Sequence, residues 1–252
     1  MKRELITHFS EYLNRDMHIL VHGEPGGTPM LAFPCQDGMC DNWESFGMQD
    51  TIGDFIENGD VQLFSVDTVD TESWSDDNGD PGHRSWIQEQ YYNYIIEEAL
   101  PLIRKINGTD KLPISIGFSL GATHAAIVAF RRPDLFGSLL GCSGCYDADF
   151  FWHGYSDERV FNNNPVQILE YLPADHPYID IYKERKYVIC VGQGRWEEEG
   201  LRTAAMLEKS CNEKDINIWI DRWGYDVDHD WPWWRVEIRY YLPWFLGQTE
   251  IR

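Results

Sequence analysis

The sequence predicts an α/β protein with a mostly parallel central sheet, helices on both faces of that sheet and antiparallel strands at its N-terminal end. Its 252 residues suit a single domain, and a content of 43% hydrophobic and 25% charged residues is typical of a globular protein. Short apolar runs alternate with segments of helical periodicity, which is the pattern of strands joined by crossover helices.

The expected strands are apolar runs bounded by turn-forming residues, and they cover residues 29–33, 61–66, 112–117, 138–143, 187–191 and 216–220. The glycine-rich segment 23–27 is expected to be a turn that joins two antiparallel strands, one within residues 6–21 and the other at 29–33. Apolar residues at helical spacing predict helices at 86–105, 121–130, 201–212 and 232–246, with Pro101 interrupting the first. Residues 144–183 are predicted to be an irregular insertion.

The charge balance excludes some partners. With 42 acidic and 21 basic residues the net charge is −21, which would repel both the phosphates of a nucleic acid and an anionic membrane surface. No signal-peptide core and no apolar run of membrane length is evident, so a cytoplasmic location is expected. In that reducing compartment the six cysteines are expected to be free thiols.

The strongest local signal is the run Gly117-Phe118-Ser119-Leu120-Gly121, which lies between an apolar strand and a helix rich in small residues. It matches the G-x-S-x-G pattern, in which a serine sits on a turn so tight that only small residues fit beside it. Such a turn exposes the hydroxyl and points a helix N-terminus at it. The sequence therefore predicts an α/β-hydrolase fold with Ser119 as the nucleophile.

An activated serine needs a base, and His229 is the candidate. In this fold the chain order is serine, acid, histidine, which sets aside the histidines that precede Ser119. His229 follows the last predicted strand and comes just before the last helix, where this fold carries its base. His124 lies one turn into the helix after Ser119 and is expected to pack there or to form a wall of the site.

A carboxylate should orient the imidazole and stabilise its charged form. The fold usually carries this residue on the loop after the penultimate strand, and Glu197 is the first carboxylate there. A run of acidic residues is often only a solvated surface, so four rivals stay open: Glu198, Glu199, Asp226 and Asp228.

The oxyanion hole should consist of two backbone N–H groups. One belongs to Leu120, the residue after the nucleophile. The other is expected from the loop at 34–38, where Gln36 is favoured and Cys35 is the alternative.

Several segments resemble the esterase D-like branch of the α/β-hydrolases, known as the "putative esterase" family. They lie at 117–122, 131–136, 191–197 and 229–235, and the most specific is His-Asp-Trp-Pro-Trp-Trp-Arg at 229–235. The family includes carboxylesterases, feruloyl and acetyl-xylan esterases, formylglutathione hydrolases and mycolyl transferases. Many members carry Asp where this chain has Glu197, and His-Gly within the loop that here contains Cys35 and Gln36.

The resemblance implies acyl transfer from an ester or thioester, usually to water, with a small-molecule ester as substrate and no cofactor or metal. An acyltransferase, thioesterase or peptidase with the same triad is the alternative reaction, and a binding protein that kept the fold and lost the chemistry is the alternative class. The tryptophan-rich helix at the C-terminal end is expected to pack in its own core or against a second copy, which leaves a homo-oligomer open.

Overall fold

The structure of the protein is a computed structural model that describes residues 1–250. Its centre is an eight-stranded sheet of order β1-β2-β4-β3-β5-β6-β7-β8. The strands are β1 (Arg3–Ser10), β2 (Arg15–His22), β3 (Thr28–Phe33), β4 (Val61–Val66), β5 (Ile114–Phe118), β6 (Ser138–Cys142), β7 (Lys186–Val191) and β8 (Ile218–Arg222). The six strands from β3 to β8 run parallel, and all six predicted strands are present within two residues of the expected ends.

The N-terminal pairing differs from the prediction. Residues 6–21 do not form a single strand paired with β3: they contribute to β1 and β2, which pair with each other in antiparallel register, Arg3 opposite His22. β2 also pairs antiparallel with β4, so β4 lies between β2 and β3. The turn at 23–27 therefore carries the chain across an inserted strand. β2 and β3 do run antiparallel, as expected, but they are not neighbours in the sheet, because β4 comes from further along the chain and is not visible in the local pattern.

Helices cover both faces of the sheet. They are α1 (Asn42–Ser45), α2 (Met48–Thr51), α3 (Gly53–Glu57), α4 (Pro81–Tyr94), α5 (Leu100–Asn107), α6 (Leu120–Arg131), α7 (Asp149–Trp152), α8 (Glu158–Asn162), α9 (Pro165–Glu170), α10 (Tyr178–Glu184), α11 (Glu198–Glu213) and α12 (Trp231–Phe245). One core packs α4 to α11 against one face, and a second packs α1 to α3 and α12 against the other. The predicted α/β-hydrolase fold is confirmed.

Two predicted segments have more helix than expected. Pro101 does not break the helix at 86–105, because a π-helical stretch, Ile95–Ala99, joins α4 to α5 and places the proline in the first turn of α5. Such a widened turn accommodates a residue that has no N–H to donate. The segment 144–183 contains the four short helices α7 to α10 instead of irregular chain.

The tryptophan-rich helix α12 buries one face in its own domain. Trp231, Trp234, Ile238 and Tyr241 are among the buried residues of this face. No helix within residues 1–250 is long and apolar enough to cross a membrane.

Glu237 is the unexpected member of the buried face of α12. Its carboxylate is fully buried beside the thiols of Cys142 and Cys190. Burial raises the pKa of Glu237 to about 7, and the charge of Glu197 adds to the rise. The folded protein therefore holds this proton over a pH range in which the unfolded chain releases it.

The carboxyl of Glu237 should make the protein less stable as the pH rises. Between its ordinary pKa of 4.5 and about 7 the folded state binds more protons than the unfolded state, so the free energy of unfolding falls. Glu237→Gln keeps a neutral side chain of the same shape and should stabilise the protein by about 3 kcal/mol at pH 8 and by less than about 1 kcal/mol at pH 5. Urea unfolding at a series of pH values measures this. Glu213→Gln on the exposed face of α11 is the control, and a gain for Glu237→Gln that is the same at every pH would contradict the assignment.

Candidate active site

Ser119 lies on the sharp turn between β5 and α6. Its backbone angles are φ 55° and ψ −131°, a region that residues other than glycine rarely occupy. Two hydrogen bonds hold the turn: the Ser119 N–H donates to the carbonyl of Cys142 and the Ala122 N–H donates to the carbonyl of Ser119, both at 3.0 Å. The hydroxyl is therefore presented at the carboxyl edge of the sheet by a rigid backbone.

The glycines on either side of Ser119 make this turn possible. A Cβ atom at Gly117 would lie 2.1 Å from the carbonyl oxygen of Gly121, and one at Gly121 would lie 2.4 Å from that of Pro34. Neither position has room for a side chain. The motif thus reflects two close backbone contacts, one within the turn and one between α6 and the loop that follows β3.

His229 reaches Ser119 from the loop between β8 and α12. Its Nε2 lies 2.9 Å from the Ser119 hydroxyl oxygen, so the hydroxyl can donate to the imidazole. The His229 ring packs edge-on against Trp234, with ring centroids 5.1 Å apart. The backbone is fixed as well, because the His229 N–H donates to the carbonyl of Arg195 at 3.1 Å.

Glu197 lies immediately before α11 and is fully buried. Its Oε1 accepts a 2.6 Å hydrogen bond from the hydroxyl of Ser143, which in turn accepts one from the indole of Trp234 at 3.0 Å. Its Oε2 lies 3.7 Å from Nδ1 of His229, slightly longer than a hydrogen bond. Both of these atoms are buried and have no other partner within residues 1–250. A small side-chain movement would bring these two atoms within hydrogen-bond distance.

The four rival carboxylates have other positions. Asp228 binds Arg195, with 2.6 Å between its Oδ2 and the guanidinium. Glu199 pairs with Arg202, and both Glu198 and Asp226 are exposed. Among the five candidates, only Glu197 is buried against the imidazole. Asp228 instead ties the loop that carries His229 to the loop that carries Glu197.

The two expected oxyanion donors lie on the same cavity as Ser119. Neither the Leu120 N–H nor the Gln36 N–H donates a hydrogen bond within residues 1–250, and both residues line the cavity. The alternative, Cys35, uses its N–H on the side-chain oxygen of Asn42 at 3.1 Å. The backbone N–H groups of Leu120 and Gln36 are therefore available to bind an oxygen atom of a ligand.

This cavity, called here the Ser119 cavity, has a volume of about 180 Å³. Aromatic side chains form much of its wall, and its lining residues are Gln36, Ser119, Leu120, Ser143, Cys145, Phe150, Phe151, Trp196, Glu199, Gly200 and His229. Phe150 and Trp196 are largely exposed, at 53% and 71% of their surface. Phe150 lies in the short helix α7, which follows β6, and Trp196 lies on the loop after β7.

Two further residues near the site are Ser143, which the sequence did not indicate, and His124, which is packed inside the protein as one of its two expected placements required. Ser143 lies directly after β6 and donates a hydrogen bond to the carboxylate of Glu197. Because β6 is the neighbour of β5, a polar residue at its carboxyl end could have been predicted to lie near Ser119. His124 does not line the Ser119 cavity: it is buried and its ring nitrogen lies 2.9 Å from Oδ1 of Asp70.

Comparison with solved structures identifies the same fold in proteins of low sequence identity. A ferulic acid esterase superposes with a TM-score of 0.74 at 15% identity, covering 98% of this chain and 99% of the other. An S-formylglutathione hydrolase from Agrobacterium tumefaciens gives 0.73 at 16%, covering 98% and 95%. The fluorophosphonate-binding serine hydrolase F of Staphylococcus aureus gives 0.72 at 14%, covering 97% and 98%. Comparison with curated protein sequences gave no match.

The family comparison covers almost the whole chain. The sequence profile of the family described as "Putative esterase" matches residues 10–245. This confirms the resemblance carried by the serine turn and by the His-Asp-Trp-Pro-Trp-Trp-Arg segment. The chain belongs to this esterase family of the α/β-hydrolases.

Proposed function

We propose that the protein is a serine carboxylesterase in which Ser119 is the nucleophile, His229 the general base and Glu197 the residue that orients it. The observation that carries the proposal is the 2.9 Å separation of the Ser119 hydroxyl and His229 Nε2 at a strained strand-to-helix turn. Membership of an esterase family supports it. The N–H groups of Leu120 and Gln36 form the oxyanion hole.

The reaction takes place in two acyl transfers. His229 removes the proton of Ser119 as its oxygen attacks the ester carbonyl, and the resulting oxyanion is bound by the N–H groups of Leu120 and Gln36. His229 then gives the proton to the departing alcohol, which leaves an acyl group on Ser119. Water, deprotonated by His229, attacks this acyl group and releases the carboxylic acid and the free serine.

Glu197 supports the positive charge that His229 acquires in each step. Because it is buried, its carboxylate lies in a medium of low polarity, where its interaction with an imidazolium is much stronger than in water. Ser143 fixes one carboxylate oxygen and leaves the other facing Nδ1. Protonation of the imidazole should shorten the 3.7 Å gap, because apo enzymes often tighten such contacts only during the reaction.

Ser119→Ala should abolish ester hydrolysis in a protein that remains folded. We expect the rate with p-nitrophenyl acetate or butyrate to fall by at least about 10⁴-fold, because the acyl acceptor is lost. Labelling by a fluorophosphonate probe should disappear with it. Circular dichroism controls for folding, and hydrolysis that survives in the folded variant would refute Ser119 as the nucleophile.

Glu197→Gln should lower turnover while its exposed neighbour does not. An amide cannot stabilise the imidazolium, so we expect kcat to fall on the order of 10²- to 10⁴-fold. Glu198→Gln makes the same chemical change one residue away on the surface and should leave kcat within about 2-fold, as is usual for an exposed position. Equal losses in the two variants, or none in Glu197→Gln, would exclude Glu197 as the triad acid.

The size of the Ser119 cavity predicts a preference for short acyl groups. A volume of about 180 Å³ holds an acetyl or butyryl group, and Phe150 is one of the aromatic side chains that line it. Hydrolysis of p-nitrophenyl octanoate should be slower than that of the acetate or butyrate, and Phe150→Ala should raise the octanoate-to-acetate ratio of kcat/KM by about 10-fold, the value of a few methylene contacts. Phe9→Ala, an equally exposed phenylalanine on β1, is the control. An unchanged ratio in Phe150→Ala would refute this wall of the acyl site.

A further inference from the structure

A single buried carboxylate connects the two sides of the proposed oxyanion hole. Asp70 begins a short 3₁₀ turn, Asp70–Glu72, shortly after β4. Its Oδ1 accepts a hydrogen bond from Nε2 of His124 at 2.9 Å, and its Oδ2 accepts one from the Asp37 N–H at 3.2 Å. Asp70 and His124 are both almost completely buried, with 1% and 2% of their surface exposed.

The two ends of this bridge lead to the two oxyanion donors. His124 belongs to α6, whose first residue is Leu120. Asp37 directly follows Gln36 and has a left-handed backbone, with φ 61°. A left-handed backbone is costly for a residue other than glycine and persists where its surroundings hold it. The Asp70 carboxylate is such a restraint, because it fixes the peptide that follows Gln36.

Other contacts hold this loop at different points: the side-chain amide of Gln36 donates to the Ser75 hydroxyl at 2.8 Å, and the Cys35 N–H donates to Oδ1 of Asn42. The bond from Asp70 is the one that acts on the peptide directly after Gln36. The Cys35 carbonyl shares a peptide plane with the Gln36 N–H, and it accepts a 2.8 Å hydrogen bond from the Gly38 N–H. The loop from 35 to 38 is thus a small closed turn whose own bonds do not attach it to α6. Asp70 and His124 supply a polar attachment between the turn and that helix.

Stability alone does not account for a carboxylate at this place. The aromatic rings of Phe33, Trp74 and Tyr91 lie with their centroids 6.0, 5.7 and 5.3 Å from that of His124. Burying a carboxylate in such surroundings is expensive, and an apolar pair of similar volume often stabilises a protein as much or more. What the polar pair adds is a fixed direction for each of its two hydrogen bonds.

We propose that Asp70 and His124 are positioning residues that set the distance between the Gln36 and Leu120 N–H groups, and so the fit of the oxyanion hole. The proposal rests on the function proposed above. Because the oxyanion exists only after the serine has attacked, a misplaced donor weakens binding of the transition state and leaves binding of the ester almost unchanged.

The test compares Asp70→Ala with the same change at a neighbouring aspartate. Asp67 is the matched control: it is also buried, it also contacts a histidine, His18, and it also accepts a backbone N–H of the same loop region, that of Cys40 at 3.0 Å. The difference is that Asp67 binds the loop at Cys40, four residues after Gln36. Steady-state hydrolysis of p-nitrophenyl acetate and inhibition by a trifluoromethyl ketone, which mimics the oxyanion, are measured for both variants.

We expect Asp70→Ala to lower kcat by about 10- to 100-fold with KM within about 3-fold, because small displacements of a catalytic group cost up to this much. Affinity for the trifluoromethyl ketone should fall in proportion to kcat/KM. Asp67→Ala should lower the melting temperature to a similar degree and keep kcat within about 3-fold. The double variant Asp70→Ala, His124→Ala should lose no more kcat than Asp70→Ala alone, since the bond between His124 and Asp70 is already absent in the single variant.

Three kinetic results would each overturn the proposal: an unchanged kcat in folded Asp70→Ala, an equal loss of kcat in Asp67→Ala, or a loss confined to KM. If Asp70→Ala does not fold, Asp70→Asn takes its place, since it keeps the shape and removes the charge. Hydrogen–deuterium exchange of the peptide covering 35–38 separates this proposal from the proposed function. Faster exchange in the Asp70 variant is expected even if the wild type hydrolyses no ester, and unchanged exchange refutes the positioning role by itself.

Discussion

The turn that carries Ser119 is the constraint on which the rest of the site depends. Its backbone lies in a region that costs about 1–3 kcal/mol for a residue other than glycine, and this cost is offset by the buried helix that follows. Gly117 and Gly121 allow the chain to close on itself and on the loop after β3. Once the turn is formed, the position of the hydroxyl and the direction of the Leu120 N–H are fixed together.

The order of the strands assembles the remaining residues around that turn. In the sheet β3, β5, β6, β7 and β8 are consecutive neighbours. The loops at their carboxyl ends carry Gln36, Ser119, Ser143, Glu197 and His229 respectively. Each strand therefore contributes one residue to the same edge, and the proposed nucleophile lies near the middle. This is the general rule that open parallel sheets bind their ligands at the carboxyl ends of the strands.

Residues with a local sequence signature could be singled out from the sequence, whereas Glu197 could be named only as the first of five candidate carboxylates. Ser119 and His229 are identified by a motif and by chain order, and the structure brings them within 2.9 Å. Glu197 is separated from Glu198 and Glu199 only by its burial, which a run of three glutamates does not indicate. The pairing of β2 with β4 and the hydrogen bond between Asp70 and His124 join segments that are far apart in the chain, so no local sequence pattern predicts them.

The most direct test of the account is to locate the acyl group during turnover. The protein is mixed with p-nitrophenyl acetate, quenched in acid within milliseconds, digested and mapped by mass spectrometry. The account predicts an acetyl group on Ser119, accompanied by a burst of nitrophenol when deacylation is the slower step. Cys145 lines the same cavity and is the competing nucleophile. An acetyl group on Cys145, or ester turnover with no adduct at Ser119 under conditions where the burst is seen, would contradict it.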